Sequence, residues 1–278
     1  MDAVHKIDTF MKQINYDMRV IGVPKTIDND LMYTHHTPGY GSAAKYIGIT
    51  MQEILRDAAV YTIPAVTIVE IMGRDAGWLA AAASLPRVHG DGPDYIYLPE
   101  VVFDVENVLK DIEDALSRHP NVVIALAEGV KTPTGAYLSE SESMDAFGHK
   151  SLSGAGNALE RVIQKRLHCK TRVIELNTLQ RCASHCASRA DIDESKAIGI
   201  DAVHVALNGI SGEMVGANTE TSTVPAAQVA NVVRSVPVDL INDAGNNVTD
   251  EMISYIMPLI EGEVDIQWSQ GLPMHLIL

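Results

Sequence analysis

The sequence predicts an α/β fold of mostly parallel sheets with flanking helices, and three observations predict it. Short apolar runs rich in β-branched residues alternate along the chain with longer segments of helical periodicity. The clearest run, Ala65-Val66-Thr67-Ile68-Val69-Glu70-Ile71, is nearly continuous in apolar residues, as expected of a parallel strand covered on both faces. Three of the runs stop at glycine or proline beside polar residues, and ligands bind at the carboxyl ends of strands in such sheets.

Taken in order, residues 1 to 16 read as a helix with Val4, Ile7, Phe10, Met11 and Ile14 on its apolar side. Met18 to Val23 is a short buried strand stopped by Pro24. Thr37-Pro38-Gly39-Tyr40-Gly41-Ser42 is a turn that opens a helix reaching about Ala59, with Ala43, Ala44, Ile47, Met51, Ile54 and Leu55 on one side. Its glycines either admit a phosphate to the free N–H groups of the first turn or let loop and helix pack closely. After the strand Ala65 to Ile71 come a small-residue helix, Asp75 to Leu85, and a strand, Tyr95 to Leu98. Asp104 is an N-cap for an amphipathic helix carrying Val105, Val108, Leu109, Ile112 and Leu116. Val122 to Leu126 is a strand ending at Ala127-Glu128-Gly129, and Lys131 to Lys150 is a polar surface excursion. A helix from Ser153 to Leu167 leads to the strand Arg172 to Leu176 and to Asn177-Thr178-Leu179-Gln180-Arg181. Ser195 to Asn208 is helical and Glu213 to Gly216 a strand, while Ala226 to Arg234 and Asp250 to Ile260 are helical or mixed. No repeat or low-complexity tract interrupts the pattern.

Composition narrows the function classes. With 278 residues and 46% hydrophobic content the chain has room for a large core, in one domain or two. A net charge of −15 argues against nucleic-acid and anionic-membrane partners, so an anionic substrate must be met by local Lys and Arg. No run approaches the roughly 18 to 20 apolar residues of a membrane span and the N-terminus has no signal-peptide pattern, which makes the cytoplasm the expected compartment. Cys169, Cys182 and Cys186 are read as reduced thiols, and Cys182-Ala183-Ser184-His185-Cys186 as part of a helix rather than a metal site lacking its fourth ligand. His35, His36 and His185 are read as surface residues, with His35 and His36 near enough to the loop before them to affect its pKa values.

That loop, Gly22-Val23-Pro24-Lys25-Thr26-Ile27-Asp28-Asn29-Asp30-Leu31, organises the rest of the chain. Lys25 offers a point charge for phosphate oxygens, one carboxylate can take a proton from an attacking hydroxyl, and another can organise Mg²⁺. The inventory is that of phosphoryl transfer; an Asx-rich turn accounts for the same residues equally well. Pro24 to Asp30 resembles the signature of the phosphofructokinases, and Lys25, where ATP-dependent members carry glycine, resembles the pyrophosphate-dependent branch. A second motif of that family follows in order, Met72-Gly73-Arg74-Asp75-Ala76-Gly77-Trp78.

The resemblance implies a phosphofructokinase-like fold and a Mg-dependent enzyme that moves a phosphoryl group from pyrophosphate to the 1-hydroxyl of fructose 6-phosphate, giving the fructose 1,6-bisphosphate of glycolysis and gluconeogenesis. It assigns Asp28 as general base, Asp30 as the acidic partner near the metal, Thr26 and Ile27 to the substrate, and Lys25 to the phosphoryl donor. Met72 and Gly73 become sugar contacts, Arg74 the arginine on the phosphoryl group, and Glu128 an acceptor for sugar hydroxyls. Arg172 and Arg181 fall where the family grips the 6-phosphate, one of them reaching from a neighbouring subunit, so the implied state is a homo-oligomer, dimer or tetramer. Thr178 stands where the ATP-dependent pattern has histidine, and Ala65 where bacterial ATP-dependent members have a further arginine. Residues 1–130 are then the remainder of the donor and catalytic domain and 131–278 the sugar-phosphate domain, with chain exchange between the lobes. In the family a first strand and a glycine-rich loop with a metal-binding aspartate, the main metal ligand, precede the first helix; Met1 stands where that loop ends, so the first βα units have no counterpart. The expectation is a piece of such an enzyme with activity impaired by truncation, with a partner-dependent subunit or a non-catalytic sugar-phosphate-binding protein as the alternatives.

Overall fold

The structure, a computed structural model, describes residues 1–139, 154–216 and 223–275. Its elements are α1 (Asp2–Gln13), β1 (Ile21–Gly22), α2 (Tyr40–Ala59), β2 (Ala65–Ile71), α3 (Trp78–Ala81, continued as a 3-10 helix Ala82–His89), β3 (Tyr95–Tyr97), α4 (Val105–Arg118), β4 (Asn121–Ala127), α5 (Ala155–Leu167), β5 (Lys170–Glu175), α6 (Leu179–Cys182), α7 (Arg189–Leu207), β6 (Glu213–Val215), β7 (Thr223–Pro225), α8 (Ala226–Val229), α9 (Asp250–Ile256, continued as a 3-10 helix Met257–Ile260), β8 (Trp268–Ser269) and β9 (Leu272–Pro273). They fall into two compact units, each discontinuous in sequence: Met1–Lys45 with Arg181–Arg234 and Pro258–Leu278, and Tyr46–Gln180 with Ser235–Met257.

The second unit is built on a sheet of four parallel strands in the order β3-β4-β2-β5. The central β2 pairs along its whole length with β4, from Ala65↔Asn121 to Ile71↔Ala127. Val66 to Ile71 are all buried, which is why the run is apolar throughout and its two polar members need partners. One of them, Glu70, accepts N–H bonds from Gly154 (3.0 Å) and Gly156 (2.7 Å), so a strand carboxylate caps α5, whose own N-cap, Gly154, has no side chain to offer. Burial nonetheless pushes the Glu70 carboxyl above the ordinary carboxylate range, the two N–H bonds opposing it. On α4, Asp104 caps the first turn through Glu106 N–H (2.9 Å), and Val108, Leu109, Ile112 and Ala115 form the buried stripe.

In the first unit β1 runs parallel to β6, and β6 antiparallel to β7. Adjacent residues of β6 serve opposite faces, as the pleat requires. Val215 packs with Ile198, Ala202 and Val205 of α7, while Met214 packs with Val224 and Val229 and with Met1 and Leu31. The helix α1 is turned the other way from its apolar periodicity. Ile7, Phe10 and Ile14 are exposed, and the buried residue is Asp8, which takes bonds from Lys12 (2.8 Å) and the Ser211 hydroxyl (2.6 Å). The reason is local: Asp8 sits over the turn at Gly212, where an added Cβ would lie 2.4 Å from its carboxylate. The strand expected over Met18 to Val23 is only Ile21–Gly22.

The long helix α7 starts six residues before the expected Ser195, because Ser188 caps it. Asp191 in its first turn reaches the start of α2, where Gly39 N–H (2.7 Å), Ser42 N–H (3.0 Å) and the Ser42 hydroxyl all donate to its carboxylate. The N-terminus of α2 is thus filled by a protein carboxylate, and of the two readings of its glycines close packing holds: a Cβ on Gly41 would lie 2.3 Å from the Leu259 carbonyl. Cys182 ends α6 and Cys186 a 3-10 turn; among the described residues no group of three or more His, Cys, Asp or Glu could hold a metal ion. No described helix is long and apolar enough to cross a membrane. Of the excursion expected over Lys131 to Lys150, residues 140–150 lie outside the described residues.

Asp191 makes charge-assisted bonds to three donors in a buried place, so Asp191→Ala is expected to lower stability by about 3 kcal/mol. Urea unfolding of the two proteins side by side measures it, and a loss under about 1 kcal/mol would show that water replaces the carboxylate.

Candidate active site

The loop after β1 is held by its own side chains. Thr26 N–H donates to the Pro38 carbonyl (3.3 Å), and the Thr37 hydroxyl donates to the Thr26 carbonyl (2.8 Å). The Thr26 hydroxyl donates to an Asp28 carboxylate oxygen (3.0 Å) and accepts from Asp28 N–H (3.1 Å). Asn29, fully buried, has φ of 57°, a left-handed conformation that asparagine tolerates better than most residues. Its side-chain oxygen accepts from Thr37 N–H (3.0 Å) and from Arg234 Nη1 (3.3 Å). Thr26 and Asn29 thus shape the turn, and Asp28 and Asp30 flank Asn29. Lys25 is exposed and Ile27 half-buried.

His36 departs from its expectation as a surface residue. It is buried, its Nε2 bonded to Glu194 of α7 and its Nδ1 3.1 Å from Nδ1 of His35. The pKa of His35 is lowered, first by burial and then by the neighbouring His36 and Arg234.

In the other unit β2 ends at Ile71, level with the end of β4. The turn that follows is bound by residues arriving from the neighbouring strands: Met72 N–H faces Gln180 Oε1 (3.3 Å), and Gly73 N–H faces Glu128 Oε1 (3.4 Å). Gly73 has φ of 135°, and at Gly129 a Cβ would lie 1.8 Å from the Arg74 carbonyl, so both positions exclude side chains. Arg74 Nε is buried with no hydrogen-bond partner, while Asp75 meets the Tyr137 hydroxyl (3.4 Å) and Lys131 (3.9 Å). Met72, Gly73, Arg74 and Glu128 therefore come together.

Arg172 does not join them. In the sheet register it stands opposite Thr67, six positions before Gly73, or about 20 Å along the strands. There its guanidinium bonds Asp57 (3.0 Å) and the Tyr61 hydroxyl (3.1 Å), and with Lys170 it lies over the Tyr61 ring. Thr178 and Arg181 are exposed on either side of Gln180, the first in the second unit and the second in the first.

Sequence reasoning missed Gln180, Arg234 and Glu100. Glu100 is the support behind the second motif: one carboxylate oxygen accepts from both Gly77 N–H (2.9 Å) and Val236 N–H (2.8 Å), and the other is buried without a partner. Its only signal was an acid following the strand Tyr95 to Leu98. Burial raises its pKa above the usual carboxylate value, the two N–H bonds acting against the shift. A raised folded-state pKa costs stability as pH climbs from the unfolded-state value through the folded one, because the unfolded chain ionises first. Glu100→Gln keeps the accepting oxygen and removes the ionisation. The melting temperature of the variant minus that of the native protein should therefore rise between pH 4 and pH 8; a difference independent of pH would contradict the buried, ionisable reading.

The family profile described as Phosphofructokinase matches residues 1–206 of the chain. A protein of Halomonas elongata named pyrophosphate–fructose 6-phosphate 1-phosphotransferase is 35% identical over 283 residues, covering 98% of this chain and 68% of that protein. A protein of Alkalicoccus urumqiensis named sulfofructose kinase is 30% identical, covering 98% and 68% respectively. The solved structure of a pyrophosphate-dependent phosphofructokinase from Nitrosospira multiformis superposes with a TM-score of 0.88 at 30% identity, covering 99% of this chain and 68% of that one.

Proposed function

The chain belongs to the phosphofructokinase family, and from that membership we propose that it transfers a phosphoryl group from pyrophosphate to the 1-hydroxyl of fructose 6-phosphate. The observation that carries the reading is the loop in which Thr26 holds the Asp28 carboxylate beside the buried, left-handed Asn29, with Lys25 ahead of it and Asp30 after it. The high-coverage relatives named for this reaction support it.

The sugar 1-hydroxyl oxygen forms a bond to one phosphorus of pyrophosphate as the bridging P–O bond breaks. Orthophosphate leaves, and the hydroxyl proton passes to Asp28. Thr26, by donating to one oxygen of that carboxylate, fixes its orientation. The Lys25 ammonium offsets charge on the donor. Arg74 serves the transferring group, and its buried, unpartnered Nε suits an incoming phosphoryl oxygen. Met72, Gly73 and Glu128 take the sugar, and Thr178, Arg172 and Arg181 its 6-phosphate, one of the two arginines serving a neighbouring subunit of a homo-oligomer. In this reading residues 1–130 supply the donor, catalytic and sugar-ring groups and 131–278 those for the 6-phosphate, in the cytoplasm.

The donor set bears on the metal. Among the described residues no three-ligand cluster forms a cage. Mg²⁺ needs none, since it keeps several waters and is commonly held by one or two carboxylates with substrate phosphates, a role that Asp30 fits. When bound, it would neutralise phosphate charge.

The relative named sulfofructose kinase gives one specific reason for a second reading, the same transfer to a sugar bearing a sulfonate.

The test is a coupled assay with Mg²⁺, pyrophosphate or ATP, and fructose 6-phosphate or sulfofructose. Turnover with pyrophosphate and fructose 6-phosphate is expected, and Asp28→Asn should lower kcat by at least about 100-fold. Stabilisation by fructose 6-phosphate without turnover would replace the proposal with a sugar-phosphate-binding protein. Donor reading is checked separately: Lys25→Gly should raise the KM for pyrophosphate about tenfold or more and leave that for the sugar within about twofold, and equal effects on both would remove Lys25 from the donor role.

A further inference from the structure

The stretch 233–236 lies beyond the matched family span of 1–206, and its first two residues bond the loop after β1. Within the first unit Val233 forms an antiparallel bridge with Leu31, Arg234 N–H donates to the Asp30 carbonyl (2.8 Å), and Arg234 Nη1 faces both the carbonyl (3.5 Å) and the side-chain oxygen (3.3 Å) of Asn29. Two residues on, within the second unit, Val236 N–H donates to the Glu100 oxygen that also takes Gly77 N–H.

We propose that Arg234 is a positioning residue for the Asp28-Asn29-Asp30 turn. Asn29 is the residue that Arg234 holds. A left-handed residue persists only where its surroundings hold it, and the cost of order 1 kcal/mol or more must be met by contacts. The Asn29 side-chain oxygen accepts from Thr37 N–H of the loop itself and from the Arg234 guanidinium outside it. The guanidinium suits this because its planar frame fixes the direction of Nη1, the one nitrogen that faces both oxygens of Asn29, better than a lysine ammonium on a flexible stem could. Asp28 and Asp30 are the peptide neighbours of Asn29, so any relaxation of its conformation moves both carboxylates. A displacement of about 1 Å in a reacting group is enough to cost about 100-fold in rate. Arg234 thus acts through Asn29 rather than on substrate. The inference rests on the phosphoryl-transfer reading for its consequence and on geometry alone for its cause.

The experiment compares the full 278-residue chain with Arg234→Met and Arg234→Lys by steady-state kinetics and by amide hydrogen exchange. Arg234→Met should lower kcat about 10- to 100-fold with the sugar KM within about twofold, and Arg234→Lys should fall between the two. The amides of Asp28 and Thr37, which report the turn directly, should exchange at least about tenfold faster in the methionine variant, with those of α4 unchanged. Unchanged kcat in an active enzyme, unchanged exchange at Asp28 and Thr37, or faster exchange throughout the chain would each overturn the proposal, the last by making Arg234 a general stability residue. If the native chain turns over neither sugar, the function proposed above fails on its own, and the exchange comparison still decides whether Arg234 holds the turn.

Discussion

The pairing of β2 with a parallel strand on each side is the constraint from which the second unit follows. Because Ile71 is level with Ala127, and Glu70 with Glu175, three strands finish at one edge of the sheet. The residues just past that edge come close to one another without long-range guidance. Met72 and Gly73 find Glu128 one residue beyond β4 and Gln180 a few beyond β5. Once the backbone turns there it has no room for side chains at Gly73 and Gly129, and the glycines of the motif are consequences of strand register as much as of chemistry.

A second constraint is shared by both units. Buried and half-buried carboxylates here order backbone N–H groups. Glu70 receives the start of α5, Asp191 the start of α2, Glu100 the amides of Gly77 and Val236, and Asp94 the amide of Val123. Helix starts and strand-end turns leave N–H groups unpaired, and a carboxylate is a stronger acceptor for them than a neutral oxygen. Its own desolvation is the cost, visible as raised carboxyl pKa values at Glu70, Glu100 and Asp94. Part of the acidic excess of the chain is therefore internal scaffolding.

These carboxylates also mark where the sequence stopped being legible. A strand paired on both sides and a capped amphipathic helix declare themselves locally: β2 spans Ala65–Ile71 as its apolar run predicts, and α4 follows Asp104 as its cap predicts. The motif loops were read through the family resemblance, because their residue types alone fit an Asx-rich turn equally well. Long-range polar bonds leave no periodic trace. Asp191 tied to α2, Glu100 behind Gly77, and Arg234 on Asn29 join positions from tens of residues to more than two hundred apart, and none belongs to a local pattern. The apolar periodicity of α1 misled for a related reason, since which face a helix buries is decided by what it meets, and α1 meets the Ser211-Gly212 turn with Asp8. The role of Arg172 came from the family resemblance, and its partners Asp57 and Tyr61 left no local trace in the sequence.

Register also separates the cations that a highly charged substrate can use. The chain carries a net charge of −15, so an anion is repelled at long range. At physiological ionic strength that repulsion is screened beyond about 8 Å, and the final approach is governed by the nearest side chains. Arg172 is already engaged by Asp57, by the Tyr61 hydroxyl and by the Tyr61 ring. Recruiting it means exchanging those partners for a phosphate, which lowers the net gain. Arg74 is in the opposite condition. Its Nε is removed from water and unpaired, so an anion that reaches it replaces an unmet desolvation cost with a charge-assisted bond. On that reasoning the stronger local attraction for a phosphoryl oxygen lies at the end of β2, and the acidic surface sets how fast the anion arrives rather than how firmly it is held.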